Sequence, residues 1–280
     1  MKVYSSLPGL LALLPLSSCA VITASREGSG LDAAAPQAVT GSITAIGIGI
    51  SDLAAAQKFY STAFDYSKGS KMSFGVWDEA IMMAKGGGPA LIPMKFKNPK
   101  TVKDLPVKLS FNCPDPKALQ TKVVAGGGKA VEKDAATTGA KEGTLYASDP
   151  DGYLLELIPG AKGIGLASAG YGVVNLNQSA AFFSKLAGTS PGEVVKKDAW
   201  DMVTVKTSKA MTLQFLNFRD GRNTKELPLK IVWGVPSIPG FKTTITEGGG
   251  TIAQGSSLGG MVGMAYSPTD KILIEINSGR

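Results

Sequence analysis

An internal repeat is the feature of this sequence that most restricts its fold. Short apolar, aromatic and glycine-rich segments recur at a nearly constant spacing. At an offset of 122 positions, residues 105–111 match 227–233 and residues 126–128 match 248–250. At an offset of 123 positions, residues 59–60 match 182–183 and residues 77–78 match 200–201. Because chance does not maintain such a spacing, the sequence predicts two copies of one domain, at residues 42–160 and 164–278.

Each copy is predicted to contain a strand, a helix and several further strands, twice over. From Thr44 to Ile50, isoleucine alternates with alanine or glycine, which predicts a strand with one buried face. Ser51 would cap the helix that follows. A second unit opens with a strand at 107–113 and a helix begun by Asp115 and Pro116. Further strands are predicted at 72–77, 79–85, 89–96 and 153–158. The fold class is therefore α+β, built from βαβββ units.

Several motifs resemble those of the vicinal oxygen chelate superfamily, which includes glyoxalase I, extradiol dioxygenases and the bleomycin-binding resistance proteins. The resemblance rests on residues 48–53 (IGISDL), 58–60 (KFY), 126–129 (GGGK) and 149–157 (DPDGYLLEL) in copy one, and more loosely on Asn175 and residues 267–275 (SPTDKILIE) in copy two. It implies tandem glyoxalase-like domains. Each would consist of paired βαβββ modules that form an open curved barrel and hold a ligand on the concave face.

The resemblance also identifies where a metal would bind. Catalytic members hold a divalent metal through a His on the first strand, a ligand that opens the second module and a Glu on the last strand. These positions fall on Ala45, Lys108 and Glu156 in copy one, and on Ser168, Lys230 and Glu275 in copy two. The chain contains no histidine, and a lysine ammonium repels a cation. The sequence therefore predicts no metal, no other cofactor and no catalytic residue.

The lysines suggest what replaces the metal. We expect Lys108 to pair with Glu156, and Lys230 with Glu275, because a carboxylate alone in a cleft is costly. The other interpretation places both lysines at the barrel rim with their ammonium groups in solvent. The first strand of each copy would present only small residues to its cleft, which predicts open clefts. The other interpretation is that these small residues let another strand or the other domain pack closely. These inward residues are Ala45, Gly47 and Gly49 in copy one, and Ser168, Gly170 and Gly172 in copy two.

Other candidate groups give weaker signals. Cys113 falls on the same strand face as Leu109 and Phe111, which favours a buried apolar role over a nucleophile. The three glycines at 126–128 follow a helix, so they indicate a helix-terminating turn and not a phosphate loop. The three tryptophans, Trp77, Trp200 and Trp233, either line a pocket for a flat ligand or pack in the core.

Three functional classes stay open. The first is a non-catalytic protein that binds or sequesters a small organic molecule in a concave cleft. The second is a metal-dependent lyase or dioxygenase whose ligands lie at unrecognised positions. The third is a scaffolding subunit of an envelope assembly.

The two domains would pair within the chain, and homo-oligomers remain open. The net charge of +7 is dispersed along the chain, which argues against nucleic-acid binding.

The first residues indicate export and lipid attachment. Residues 1–18 combine Lys2, an apolar run too short to span a bilayer and small residues before Cys19, as in a signal peptide. The LSSC sequence at 16–19 resembles the lipobox of bacterial lipoproteins, whose cysteine is acylated. Residues 19–41 are rich in Ala, Ser, Gly and Pro and would form a flexible tether. We therefore expect an exported, membrane-anchored lipoprotein; the other interpretation is an ordinary cleaved signal peptide.

Overall fold

The computed structural model describes residues 38–98, 102–132, 141–207, 211–253 and 261–278. The predicted signal peptide, Cys19 and nearly all of the tether lie outside these residues. The helices are α1 (Leu53–Phe64), α2 (Pro116–Ala125), α3 (Leu176–Ala187) and α4 (Ile238–Glu247). The strands are β1 (Ser42–Gly49), β2 (Lys71–Ser73), β3 (Trp77–Ala80), β4 (Ala90–Phe96), β5 (Val107–Cys113), β6 (Lys129–Val131), β7 (Leu145–Ser148), β8 (Leu154–Pro159), β9 (Gly165–Gly172), β10 (Val195–Lys196), β11 (Trp200–Lys206), β12 (Thr212–Phe218), β13 (Leu229–Val235), β14 (Thr251–Ile252), β15 (Val262–Tyr266) and β16 (Leu273–Ser278).

Each helix begins at a side chain that accepts a hydrogen bond from the first turn. The predicted start of α2 is confirmed, since Asp115 caps the helix and Pro116 is its first residue. For α1 the prediction of Ser51 as the cap is wrong by one residue. Asp52 caps the helix instead and accepts a bond of 2.8 Å from the backbone N–H of Ala55, because its carboxylate reaches the third residue of the first turn.

The predicted helix-terminating turns after α2 and α4 are confirmed. Gly126 and Gly248 donate their backbone N–H groups to carbonyls of the last helical turn. The next residue in each copy has a positive φ, 98° at Gly127 and 86° at Gly249. Only glycine adopts this conformation without strain, which explains the recurrence of the triplet.

The strands form two curled sheets of eight strands each. The first sheet has the order β14-β15-β16-β13-β1-β4-β3-β2, and the second has the order β10-β11-β12-β9-β5-β8-β7-β6. In every module the first strand runs parallel to the fourth, as β1 does to β4, and the other neighbours are antiparallel. The predicted pairing of βαβββ modules is confirmed.

The partners in each pair do not follow the order of the two sequence copies. The first module of copy one pairs through β1 with β13, which belongs to the second module of copy two. The second module of copy one pairs through β5 with β9 of copy two. The expectation that residues 42–160 and 164–278 each form their own barrel is therefore wrong in its pairing. Because β5 and β13 are equivalent strands of the repeat, the repeat itself did not distinguish them as partners of β1.

The alternation predicted for β1 sorts its side chains as expected. Ile46 and Ile48 are fully buried and belong to a core that spans both sheets and all four helices. Ala45 faces the other way, among Ile92, Met94 and Val232. We call the side of each sheet that carries the Ala45 or Ser168 position its cleft face, and the opposite side its helix face.

Aromatic rings join the modules across the helix faces. Phe64 of α1 lies 4.3 Å, centroid to centroid, from Phe111 of β5 in the second sheet. Phe183 of α3 stacks on Phe215 of β12 at 5.0 Å. The two cleft faces are thus held in place by a shared core.

Within the residues described, no helix is long and apolar enough to cross a membrane.

Candidate functional site

The strand register decides which of the predicted cleft residues meet. In the first sheet Ala45 lies opposite Val232, Gly47 lies opposite Lys230, and Val232 lies beside Glu275. Ala45, Gly47, Lys230 and Glu275 therefore share one cleft face. We call this the first cleft.

The second sheet gathers the other four predicted residues. Gly170 lies opposite Lys108, and Ser110 lies between Ser168 and Glu156. We call this the second cleft. The sequence-based grouping of Ala45 with Lys108 is wrong, because these residues lie in different sheets. The exchange of modules between the copies is the reason.

The predicted ion pair of the first cleft is confirmed, and it has a third member. Lys230 Nζ lies 2.7 Å from Glu275 Oε2 and 2.7 Å from Glu79 Oε2. Lys230 is 0% exposed and Glu79 is 2% exposed. Trp77 Nε1 donates to the same oxygen of Glu79 at 2.6 Å, and Asn277 Nδ2 donates to Glu275 at 3.2 Å. These contacts satisfy a buried group of charges from within the protein.

Sequence reasoning missed Glu79. Glu79 lies opposite Met94, whereas Met202, 123 positions later, lies opposite Leu216 in the second sheet. A carboxylate in one copy where the other has methionine was the available signal. Buried carboxylates are rare without a partner, so the difference pointed to one.

The predicted ion pair of the second cleft is also confirmed. Lys108 Nζ lies 3.1 Å from Glu156 Oε2, and the two side chains are 15% and 10% exposed. Ser110 Oγ donates to Glu156 Oε2 at 2.5 Å, and Tyr146 Oη donates to Glu156 Oε1 at 3.2 Å. The carboxylate of Glu156 thus accepts bonds from an ammonium and from two hydroxyl groups.

The expectation that both clefts are open is wrong at the ion pairs. A β-carbon added to Gly47 would lie 2.8 Å from Lys230 Cβ and 3.1 Å from Met94 Cε. One added to Gly170 would lie 3.2 Å from a methyl group of Leu216. The small residues of β1 and β9 therefore admit side chains from neighbouring strands.

Each cleft nevertheless opens at one end into a cavity. The cavity of the first cleft has a volume of about 480 Å³ and is walled by Trp77, Phe96, Tyr266, Leu229 and Leu273, among others. The cavity of the second cleft has a volume of about 220 Å³ and is lined by residues at the equivalent positions, among them Trp200 and Phe218. Two of the three candidate tryptophans therefore line cavities.

Trp233, the third, packs in the core. It is fully buried on the helix face, with its ring 5.6 Å from that of Phe241. Cys113 is also buried, and burial raises the pKa of its thiol to about 11. An un-ionised, inaccessible thiol is a poor nucleophile, so the structure agrees with the apolar role predicted for Cys113.

Comparison with solved structures finds proteins of similar fold. Glyoxalase I from Zea mays aligns with a TM-score of 0.66 and 17% identity, over 85% of this chain and 92% of that chain. A proposed dioxygenase from Bacillus subtilis aligns with a TM-score of 0.64 and 13% identity, over 86% of each chain. This protein has the fold of glyoxalase I.

At these identities the likeness establishes the fold and not the activity. No family model matches the sequence, and no curated protein sequence matches it either. What the protein does must therefore be argued from its clefts.

The divalent metal that the sequence resemblance implies does not fit the residues of the first cleft. A divalent metal needs lone pairs from several side chains that converge on one point. In the first cleft the point between Glu79 and Glu275 is taken by the ammonium of Lys230, a donor with no lone pair. Across the described residues, no three His, Cys, Asp or Glu side chains come together in a way that could hold a metal ion.

The DPDG motif of this fold has a structural role here. Asp149 accepts the backbone N–H groups of Asp151 and Tyr153 and the hydroxyl of Tyr60, at 3.0, 2.9 and 2.7 Å. These bonds attach α1 to the turn before β8. Burial raises the pKa of Asp149 to about 6, although the bond from Tyr60 and those from the backbone oppose this shift.

Proposed function

We propose that this protein is a non-catalytic binding protein that holds a small, flat, neutral organic molecule in the cavity of the first cleft. The observation that carries the proposal is a cavity of about 480 Å³ with aromatic walls, next to charged groups that are already paired with one another. Cavities of roughly 300–1,000 Å³ with mostly apolar walls are typical of small-molecule sites.

The walls favour a flat ligand. Trp77 and Phe96 are neighbours, with their ring centroids 5.9 Å apart. The bond from Trp77 Nε1 to Glu79 fixes the plane of the indole ring. A rigid aromatic wall favours stacking of a planar molecule and loses little side-chain entropy on binding.

The charges around the cavity favour a neutral ligand. Glu226 and Lys271, one acidic and one basic, are the charged residues that line it. The ammonium of Lys230 is fully buried and bonded to two carboxylates, so it offers no free charge to a ligand. Recognition then rests on shape and apolar contact.

Ligand binding to purified protein tests the proposal, with 2-naphthol as the probe. Binding should raise Tm by roughly 5–10 °C at a hundred times Kd. Leu273→Trp, which places a large ring at the wall of the first cavity, should remove this shift. Leu154→Trp is the matched control, because Leu154 holds the equivalent position in the second cavity.

Three results would contradict the proposal. Equal binding of the probe by Leu273→Trp and the parent would place the ligand elsewhere. Stoichiometric divalent metal in the purified protein, together with lyase or dioxygenase turnover, would favour a catalytic member of this fold. Failure of flat neutral molecules to bind would favour the scaffolding role instead.

We further propose that the protein is exported and anchored to a membrane through an acylated Cys19. The apolar run and the small residues that precede Cys19 support this, as does the Ala- and Ser-rich segment that follows it. Cell fractionation tests it, since Cys19→Ser should move the protein from the membrane to the soluble fraction. Retention of the variant in membranes would rule out the anchor.

A further inference from the structure

The two clefts are related by the repeat but differ at one hydrogen-bonded position. In the first cleft the carboxylate of Glu79 joins two donors, Trp77 Nε1 at 2.6 Å and Lys230 Nζ at 2.7 Å. One carboxylate oxygen accepts both bonds. This geometry shows which group the surrounding residues are arranged to bind.

The second cleft keeps both donors and lacks the carboxylate. Trp200 lies beside Phe218 as Trp77 lies beside Phe96, and Lys108 occupies the position equivalent to Lys230. Met202 stands where Glu79 would be, and a thioether accepts hydrogen bonds only weakly.

The indole N–H of Trp200 is consequently without an acceptor. Trp200 is 4% exposed, and its Nε1 is buried with no hydrogen-bond partner among the described residues. An indole N–H can only donate, and leaving it buried and unpaired is unfavourable. Trp200 lines the 220 Å³ cavity, so a ligand in that cavity lies against its ring.

Lys108 is better placed to receive an anion than its counterpart. It lines the cavity and is partly exposed, whereas Lys230 is fully buried. It has one carboxylate partner, Glu156, and that carboxylate also accepts bonds from two hydroxyl groups. An ammonium has three N–H groups, so Lys108 can donate to a second carboxylate.

We propose that the second cleft binds the carboxylate of a small organic anion, seated between Trp200 Nε1 and Lys108 Nζ in the place that Glu79 occupies in the first cleft. The apolar body of the ligand lies against Leu154, Leu216 and Phe218, which also line the cavity. A volume of about 220 Å³ admits a single ring or a short chain, which selects small carboxylates.

Charges at the mouth of the cavity restrict the orientation of the ligand. The guanidinium of Arg222 stacks 4.2 Å from the ring of Phe218 and pairs with Asp220. The exposed Asp104 also lines the mouth and repels a carboxylate that stays there. The ligand therefore enters with its carboxylate directed toward Trp200 and Lys108.

Calorimetric titration of the purified protein with acetate, benzoate and phenylacetate tests the site, with benzyl alcohol as the neutral match for benzoate. At least one carboxylate should bind, and benzyl alcohol should bind at least tenfold more weakly than benzoate. Trp200→Phe removes the N–H donor together with part of the indole ring and should lower the affinity at least tenfold. Met202→Glu supplies an internal carboxylate and should abolish binding while raising Tm.

Trp77→Phe is the matched control, because it removes the equivalent N–H from the first cleft and should leave carboxylate binding unchanged. The proposal is overturned if none of the three carboxylates binds, if Trp200→Phe binds as the parent does, or if Trp77→Phe weakens binding as much as Trp200→Phe. Since 2-naphthol reports on the first cleft and carboxylates on the second, the two proposals fail independently.

Discussion

Replacing Lys230 with methionine tests the charge cluster of the first cleft most directly. Methionine has nearly the same length and fills the same space, but it removes the ammonium. Glu79 then keeps only the bond from Trp77 Nε1, and Glu275 keeps only the bond from Asn277 Nδ2. Two carboxylates that share one cation are left without it.

The expected cost follows from burial. Removing one partner of a buried ion pair typically costs about 3–5 kcal/mol, because the other charge is left uncompensated. Lys230→Met leaves two such charges and should cost at least about 4 kcal/mol. Lys108→Met leaves one, Glu156, which is partly exposed and keeps its bonds from Ser110 and Tyr146. We expect that variant to cost only about 1–3 kcal/mol.

Urea unfolding at pH 7, monitored by circular dichroism, measures both variants against the parent. A double variant, Lys230→Met with Glu79→Met, provides an internal test. It removes one of the two stranded carboxylates and should recover at least about 1 kcal/mol relative to Lys230→Met alone.

The reasoning would be refuted by a small or misplaced effect. If Lys230→Met costs less than about 1 kcal/mol, the cluster behaves as a solvated surface pair. If Lys108→Met lowers the free energy of unfolding as much as Lys230→Met does, burial and the number of unpaired carboxylates do not determine the loss of stability. If adding Glu79→Met to Lys230→Met lowers the free energy of unfolding further, Glu79 stabilises the fold by other contacts.

Three further predictions concern other parts of the structure. Burial raises the pKa of Asp149 to about 6, so its protonation should stabilise the fold by up to about 3 kcal/mol at pH 4, an effect that is lost as the pH rises through 6. Asp149→Asn should remove this contribution. The prediction would be contradicted if the free energy of unfolding changed between pH 4.5 and 7.5 by the same amount in the variant as in the parent. Gly47→Ala places a β-carbon 2.8 Å from Lys230 Cβ and should cost about 1–3 kcal/mol. In Gly170→Ala the nearest neighbour of the added β-carbon is a methyl group of Leu216 at 3.2 Å. This variant should cost less in the same unfolding assay, so equal costs would argue against close packing in the first cleft. Cys113 should react with a thiol reagent only after global unfolding, because it is buried and its thiol pKa is raised to about 11. Rapid labelling of Cys113 in the native protein would contradict this prediction.

Much of the fold was determined by local patterns in the sequence. Alternation in residues 44–50 identified a strand and its buried face, and β5 was predicted with the bounds that the structure has, Val107–Cys113. The family resemblance, together with the repeat, identified the lysines and their carboxylate partners, and both pairs form. These features are predictable because neighbouring residues fix which side of a strand faces the core.

Only the tertiary structure decided which modules pair. Since the repeated copies have similar joining strands, β1 could have paired within its own copy, and the choice of β13 depends on long-range packing that no local pattern records. That choice brought Glu79 of one copy to Lys230 of the other, 151 positions away. It also closed the space beside Gly47 with Lys230, and it placed Lys108 in the same sheet as Trp200 and Met202. The sequence determined which residues face a cleft, but contacts between distant segments determined which of them meet.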